Sequence, residues 1–161
     1  MSISKVVILR GPSGCGKTHY VQSRFKSGEI VVHSADNFFY KKDPNGLEPV
    51  YEFDPSKLGI AHAVCFNQFA RHVSGLRLSS AETAIVDNTN IHLWEYENYI
   101  LLAEICNCQV SIVEWNSNRI SDLNKCYKRN QHNVPLGIIT KHFLEFEPYT
   151  GKHSVLKIEI S

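Results

Sequence analysis

The chain has 161 residues, of which 43% are hydrophobic and 20% charged, so its composition is that of a globular domain and excludes a disordered or collagen-like chain. Its formal net charge of +1 provides no overall basic field, and any contact with nucleic acid must therefore come from a local patch. The length fits one compact domain spanning residues 1–161.

Membrane and export signals are not expected. No stretch approaches the roughly 20 apolar residues of a membrane-spanning helix, and the apolar run after Met1 is too short for a signal peptide. The five cysteines are odd in number and include no CxxC pair, so neither a disulfide framework nor a zinc site is indicated. Reduced thiols in a cytoplasmic protein are expected.

Short β-rich runs alternate with longer helical patterns, which predicts an α/β fold. The run Val6-Val7-Ile8-Leu9 is continuously apolar, as expected of a strand that is buried on both faces. We therefore predict a sheet of about five parallel strands with helices on both faces. The predicted strands cover residues 6–9, 30–33, 83–86, 109–115 and 155–160.

Residues that start and stop helices divide the rest of the chain. Asp54 and Pro55 open a helix as its cap and first-turn residue. Asn90 is expected to cap the helix that follows the third strand. The turn-forming stretch 43–46 predicts a loop over residues 41–53. The predicted helices cover residues 16–26, 54–73, 90–105, 121–130 and 135–147.

A glycine-rich stretch after the first strand matches G-x-x-x-x-G-K-[ST] and precedes a predicted helix, which is the context of a phosphate-binding loop (P-loop). Its glycines let successive backbone N–H groups point at phosphates, and the helix start adds a positive dipole end. Lys17 supplies a cation for the β- and γ-phosphates of ATP, and Thr18 offers a hydroxyl ligand to Mg²⁺. The predicted fold is therefore a three-layer sandwich of the P-loop NTPase type. The P-loop is Gly11-Pro12-Ser13-Gly14-Cys15-Gly16-Lys17-Thr18.

Two acidic residues follow predicted strands on the acceptor side of the P-loop. Asp36 comes just after the second strand and Asp87 just after the third, and ligands of a parallel sheet bind beyond these carboxyl ends. A carboxylate there can take the proton of an attacking hydroxyl or orient that hydroxyl. Each residue alone is equally compatible with a cap or a loop position. Together, beside a P-loop, they indicate a phosphotransferase that acts on a hydroxyl group.

Three further motifs follow the P-loop in order. They resemble the 5′-hydroxyl polynucleotide kinase-like branch of P-loop kinases, in particular the kinase-like domains of the NEDD4-binding protein 2 group and their phage-encoded relatives. The resemblance covers residues 6–146, and the ordered combination is far more specific than any one motif. The motifs are Ser34-Ala35-Asp36-Asn37-Phe38-Phe39, Val86-Asp87-Asn88-Thr89-Asn90 and Arg129-Asn130-Gln131-His132-Asn133-Val134-Pro135.

The resemblance implies roles for several of these residues. Asp36 would be the general base, Asp87 would shape the acceptor site, and Arg129 would reach from a lid to the transferring phosphate, where a cation neutralises developing charge. The phage enzymes carry an arginine three residues after the base, where this chain has Phe39. Phe39 and its aromatic neighbours either form a stacking surface for a base or belong to the core. Asn90 either contacts the acceptor or holds a turn.

Residues 116–134 are predicted to form a helical lid over ATP, although a solvated basic surface would show the same pattern. Arg119, at the start of this lid, is a candidate to stack on adenine opposite the turn at residues 149–151. The cations of the lid helix are Lys125, Lys128 and Arg129.

The leading functional hypothesis is an ATP-dependent kinase with Mg²⁺ that phosphorylates a 5′-hydroxyl of DNA or RNA. Two alternatives stay open: a kinase of a small molecule, a nucleoside or a hydroxymethylated base, and an ATP-binding module that regulates a partner protein. The catalytic set Lys17, Asp36 and Arg129 favours an enzyme, because a binding module does not need a base. The oligomeric state cannot be predicted from these patterns.

Overall fold

The computed structural model describes residues 3–46 and 48–161. The strands are β1 (Lys5–Arg10), β2 (Ile30–His33), β3 (Tyr40–Lys41), β4 (Val50–Tyr51), β5 (Thr83–Asp87), β6 (Gln109–Glu114) and β7 (Ser154–Lys157). Five of them form one parallel sheet in the order β2-β5-β1-β6-β7. The strand that leads into the P-loop, β1, therefore lies in the middle of the sheet, as its continuous apolar run predicts.

Helices cover both faces of this sheet, which confirms the predicted three-layer α/β architecture. On one face, Phe69 and Tyr96 pack with Val6 and other buried residues of the sheet. On the other face, Val21, Cys126 and Ile139 pack with Leu9 and Ile85. The helices are α1 (Lys17–Arg24), α2 (Leu58–Val73), α3 (Leu93–Ile105), α4 (Ile120–Arg129) and α5 (Leu136–Leu144), with 3₁₀ turns at Ala35–Phe39 and Pro55–Lys57.

Within the described residues, none of these helices combines the length and the apolar character that crossing a membrane requires.

The predicted loop over residues 41–53 is in part a β-hairpin. Strands β3 and β4 pair in antiparallel fashion, with Tyr40 opposite Tyr51. The hairpin is held by aromatic packing, since the ring of Phe39 lies 6.1 Å from that of Tyr51 and 5.0 Å from that of Phe53. The turn-forming residues correctly predicted the turn of this hairpin. They gave no sign of its two short strands.

The prediction that Asn90 caps α3 is wrong. The helix begins at Leu93, and its N-cap is His92, whose backbone N–H donates to the side chain of Glu95 at 2.8 Å. Asn90 instead has a left-handed backbone with φ 48°, a conformation that Asn tolerates better than most residues. Its side chain is buried and donates to the carbonyl of Leu9 at 2.7 Å. Asn90 therefore ties the end of β5 to the end of β1.

Arg10, the last residue of β1, is fully buried. Its guanidinium forms an ion pair with Glu114 at 3.0 Å, donates to the carbonyl of Asn90 at 2.9 Å, and lies between the rings of Tyr96 and Phe146. Burial lowers the pKa of Arg10, although the surrounding negative charges oppose this. A buried charge is retained only when it is paired and hydrogen-bonded. Arg10 therefore holds the carboxyl ends of three strands in register behind the P-loop.

His33, the last residue of β2, should make the stability of the fold fall in acid. Burial lowers the pKa of His33 to about 4, and the neighbouring His72 and Arg77 add to the effect. The pKa of an unfolded histidine is about 6.5, so between this pH and about 4 the unfolded chain binds a proton that the folded chain does not bind. The stability that this histidine contributes is therefore complete above about pH 6.5 and is lost as the pH falls towards 4.

We expect the melting temperature to fall across this pH window and to fall less steeply in His33→Phe, which cannot take the proton. Thermal unfolding from pH 7.5 to 4.5 measures this. His19→Phe, an exposed site on α1, is the matched control and should keep the wild-type slope. Equal slopes for all three proteins would contradict the prediction.

Candidate active site

The carboxyl ends of β1, β2 and β5 open into a cavity of about 1080 Å³. Its lining includes the P-loop from Ser13 to Thr18, the carboxylates Asp36 and Asp87, and Arg129. This is the edge of a parallel α/β sheet at which ligands bind. The fold therefore brings the P-loop, the two acceptor-side carboxylates of the sequence analysis and Arg129 to one site.

The P-loop depends on its glycines in different ways. Gly14 and Gly16 have φ values of 78° and 108°, in the region that favours glycine, and Gly16 directly precedes α1. Gly11 is needed for space, because an added Cβ would lie 2.7 Å from Sγ of Cys15 and 3.0 Å from Cβ of Trp115. Cys15 is buried beneath the loop, where burial raises the pKa of its thiol. The thiol is therefore a packing group of low reactivity.

Gly14 also lies directly against α4. A Cβ at this position would overlap the carbonyl oxygen of Cys126 in α4. We expect Gly14→Ala to lower the free energy of unfolding by about 2–5 kcal/mol, because a strained backbone and a steric overlap add. Gly59→Ala is the matched control: an added methyl there, in the first turn of α2, meets no described atom within 4 Å. It should stabilise by up to about 1 kcal/mol. Urea unfolding measures both, and a Gly14→Ala variant as stable as wild type would contradict this packing.

Lys17 is held by the loop that carries it. Its Nζ donates to the carbonyl oxygens of Gly11 at 2.9 Å and Pro12 at 3.1 Å. Gly11 and Pro12 thus serve the site through their backbone, and the cation lies beside the space for phosphate. Thr18 follows in the first turn of α1 and lines the cavity.

Asp36 lies in the 3₁₀ turn that follows β2, and two side chains hold the backbone of this turn. The Asp36 N–H donates to Oγ of Ser34 at 3.3 Å, and the Ala35 N–H donates to the side-chain oxygen of Asn88 at 2.9 Å. The carboxylate accepts a hydrogen bond from the hydroxyl of Tyr51 at 3.0 Å, and Nε2 of His132 lies 3.6 Å from its other oxygen. These contacts orient the carboxylate in the cavity.

Asp87 ends β5 and lies deeper than Asp36. Burial raises the pKa of Asp87; the cation of Lys17 opposes this rise and the charge of Asp36 adds to it. Asp87 is therefore the more buried of these two carboxylates, and Asp36 is the more accessible one.

The segment after α4 brings a cation and an imidazole to the cavity. Arg129 ends α4 and donates to the carbonyl of Ser161. Asn130 shapes the turn that follows: its side chain accepts from the N–H of Val134 at 2.6 Å and donates to the carbonyl of Tyr127 at 2.9 Å. The motif at residues 129–135 thus forms a turn that the side chain of Asn130 stabilises, and this turn places His132 next to Asp36.

Three residues proposed for the site lie elsewhere. Phe39 is 2% exposed and belongs to the core with the hairpin aromatics, so it offers no stacking surface. Asn90 is 1% exposed and holds strand ends together, as described above. Arg119 begins α4, where its Nε donates to Asp122 at 2.8 Å, and it is outside the described lining of the cavity. Phe39 and Asn90 are therefore structural residues, and the structure does not bring Arg119 to the cavity.

Sequence reasoning missed Tyr51 and His132. Tyr51 stood in a stretch interpreted as a loop, and only the hairpin shows that it faces Asp36. His132 was within a recognised motif, and its position three residues after Arg129 was the available signal. Their rings lie 4.3 Å apart and are tilted by 33°.

Comparison with known proteins assigns the chain to a family. Residues 6–134 match the model of an AAA domain family, AAA_33, and the chain belongs to this family. It is 29% identical to human NEDD4-binding protein 2 over 147 residues, which are 91% of this chain but only 8% of that protein.

Solved structures with the same fold include two kinases. A gluconokinase from Sinorhizobium meliloti 1021 superposes with a TM-score of 0.62 at 12% identity, covering 100% of this chain and 85% of that one. A sugar kinase from Janibacter sp. HTCC2649 gives a TM-score of 0.59 at 14% identity, covering 98% and 86%. The chain is therefore a kinase-like P-loop domain in its fold.

Proposed function

We propose that this chain is an ATP-dependent kinase that transfers the γ-phosphate to a hydroxyl acceptor, namely the 5′-hydroxyl of a polynucleotide. One observation carries the proposal: the P-loop and an oriented carboxylate, Asp36, line the same cavity. A P-loop alone serves many nucleotide-binding proteins, whereas an added carboxylate at the acceptor side provides for hydroxyl activation. The volume of about 1080 Å³ is at the top of the range of small-molecule sites and leaves room for part of an acceptor beside ATP.

The reaction assigns one task to each residue. The acceptor hydroxyl gives its proton to Asp36 while its oxygen forms a bond to the γ-phosphorus. The bond from that phosphorus to the bridging oxygen breaks, and ADP leaves with the electron pair. Lys17 and Arg129 neutralise the charge that develops on the phosphoryl oxygens. Asp87 holds the acceptor side of the cavity.

Magnesium fits the oxygen donors at this site. The hydroxyl of Thr18 lines the cavity next to Lys17, and Mg²⁺ typically takes one or two protein oxygens and completes its shell with phosphate oxygens and water. Bound there, the ion would supply further charge neutralisation at the β- and γ-phosphates.

The acceptor proposal rests on the three ordered motifs that resemble polynucleotide kinases. A small-molecule acceptor is the second candidate, and two observations favour it. Phe39 is buried where the phage enzymes carry a phosphate-binding arginine, and gluconokinase and a sugar kinase share the fold.

Phosphate transfer from γ-labelled ATP tests both candidates. The acceptors are 5′-hydroxyl DNA and RNA oligonucleotides, nucleosides, gluconate and sugars, with a 5′-phosphorylated oligonucleotide as the matched control. We expect label on the 5′-hydroxyl oligonucleotides and none on the control. Label only on a nucleoside or sugar would replace the proposed acceptor, and ATP binding without transfer to any acceptor would overturn the kinase assignment.

A further inference from the structure

The two carboxylate oxygens of Asp36 have different surroundings. Oδ1 accepts a hydrogen bond from the hydroxyl of Tyr51 at 3.0 Å. Oδ2 lies 3.6 Å from Nε2 of His132, which is longer than a hydrogen bond allows. Oδ1 is therefore occupied by a donor, and Oδ2 keeps its lone pairs available to a group that enters the cavity.

Tyr51 is well placed to hold Oδ1 because its ring is fixed on several sides. It stands in β4 opposite Tyr40. Its ring packs edge-to-face on the buried Phe39 and lies parallel to the ring of Phe53, with centroids 6.5 Å apart. The phenol oxygen thus has a defined position relative to the 3₁₀ turn that carries Asp36.

In the hydrogen bond between Tyr51 and Asp36, the phenol is the donor and the carboxylate is the acceptor. Burial raises the pKa of Tyr51, and the charge of Asp36 and its hydrogen bond raise it further. Tyr51 therefore keeps its proton at neutral pH, and a protonated phenol next to a carboxylate donates. The hydrogen bond from Tyr51 withdraws charge from Oδ1 and takes one of its lone pairs, so Oδ2 is the more basic of the two oxygens towards the proton of the acceptor.

His132 covers Tyr51 from the lid side. Its ring lies on that of Tyr51 with centroids 4.3 Å apart. The turn that carries His132 follows Arg129 directly and is closed by the side chain of Asn130. The same turn thus links the cation proposed for the phosphate with the group that covers the Tyr51–Asp36 pair.

We propose that Tyr51 is a positioning residue that holds Oδ1 of Asp36, so that Oδ2 is the atom that takes the acceptor's proton, and that the ring of His132 keeps Tyr51 in this place. The inference rests on the proposed function, in which Asp36 is the base. Neither Tyr51 nor His132 takes part in the proton transfer itself.

Tyr51→Phe is the direct test, because it removes only the hydroxyl and keeps the ring packing. With the acceptor identified by the labelled-ATP panel, we expect kcat to fall about 10- to 100-fold, the usual effect of a misplaced reacting group. The KM for ATP should not change. Tyr127→Phe is the matched control, since Tyr127 is exposed on α4 and outside the described lining of the cavity, and it should turn over like wild type.

A double mutant shows whether Tyr51 acts through Asp36. In an Asp36→Asn background, Tyr51→Phe should cause no further loss of kcat. His132→Phe, which keeps a ring over Tyr51, should retain more activity than His132→Ala.

The outcomes separate this inference from the proposed function. Normal turnover of Asp36→Asn would overturn the assignment of Asp36 as the base, which is the part of the proposed function on which this inference rests. A slow Asp36→Asn together with a normal Tyr51→Phe would overturn the positioning role alone. A double mutant slower than Asp36→Asn would show that Tyr51 acts independently of the base, and His132→Phe as slow as His132→Ala would show that the ring does not suffice; either contradicts the inference.

Discussion

Lys17→Ala is expected to reduce phosphoryl transfer to background, a loss of at least roughly 10³-fold. Lys17 Nζ lies on the carbonyls of Gly11 and Pro12 at the edge of the phosphate space. Removing it leaves the charge that develops on the γ-phosphate without its nearest cation, in a partly enclosed site where such charges are costly. The measurement is steady-state transfer from labelled ATP, with ATP binding determined separately.

The fold should survive this change. Each of the two hydrogen bonds that Lys17 donates to carbonyl oxygens contributes about 0.5–1.5 kcal/mol, so we expect a modest fall in melting temperature. Lys26→Ala, an exposed lysine beyond the end of α1, is the matched control and should retain full activity. A Lys17→Ala variant with wild-type turnover would refute the assignment of the P-loop.

Asp36→Asn should lower the rate of phosphoryl transfer by roughly two to four orders of magnitude, the usual contribution of general base catalysis. Asparagine keeps the size of the side chain and an oxygen that can accept from Tyr51, but it cannot take a proton. ATP affinity and stability should therefore stay near the wild-type values. Single-turnover transfer to the acceptor, with nucleotide binding measured in parallel, tests this expectation.

Asp43→Asn is a suitable control, because Asp43 lies in the turn of the β3–β4 hairpin and accepts there from the backbone of Asn45, which an asparagine oxygen can also do. It should transfer phosphate at the wild-type rate. If Asp36→Asn transfers phosphate normally, Asp36 is not the base, and the mechanism proposed for this site is wrong.

Local patterns predicted the fold because each strand of the five-stranded sheet and each α-helix carries its own signal. The continuous apolar run 6–9 predicted a buried strand, and the glycine-lysine-threonine sequence after it predicted the start of a helix, as the structure shows for β1 and α1. The location of the polar residues that follow the strands could be predicted from topology, because the carboxyl ends of parallel strands lie at one edge of the sheet. Asp36 and Asp87 could therefore be placed in the cavity before any coordinates were known.

Contacts between distant segments could not be predicted in this way. Whether Phe39 faces the cavity or the core depends on the hairpin that packs on it, and hairpin arms of two residues are too short to show a period. Asn90 is of a residue type that is common at helix caps, but its side chain donates a buried hydrogen bond to the end of β1 instead. The pairing of Tyr51 with Asp36, and of His132 with both, needs the folded chain.

The close approach of Gly14 to the backbone carbonyl of Cys126 should limit how the proposed kinase closes over a substrate. It brings together two segments of backbone, and neither can move aside by changing a rotamer, as a side chain would. The P-loop and the middle of α4 must therefore travel as one body. If the proposed kinase closes over its substrates, we expect the turn at residues 130–134, which carries His132, to take up the motion. Changes made to speed or slow closure should be sought in that turn, and not along α4.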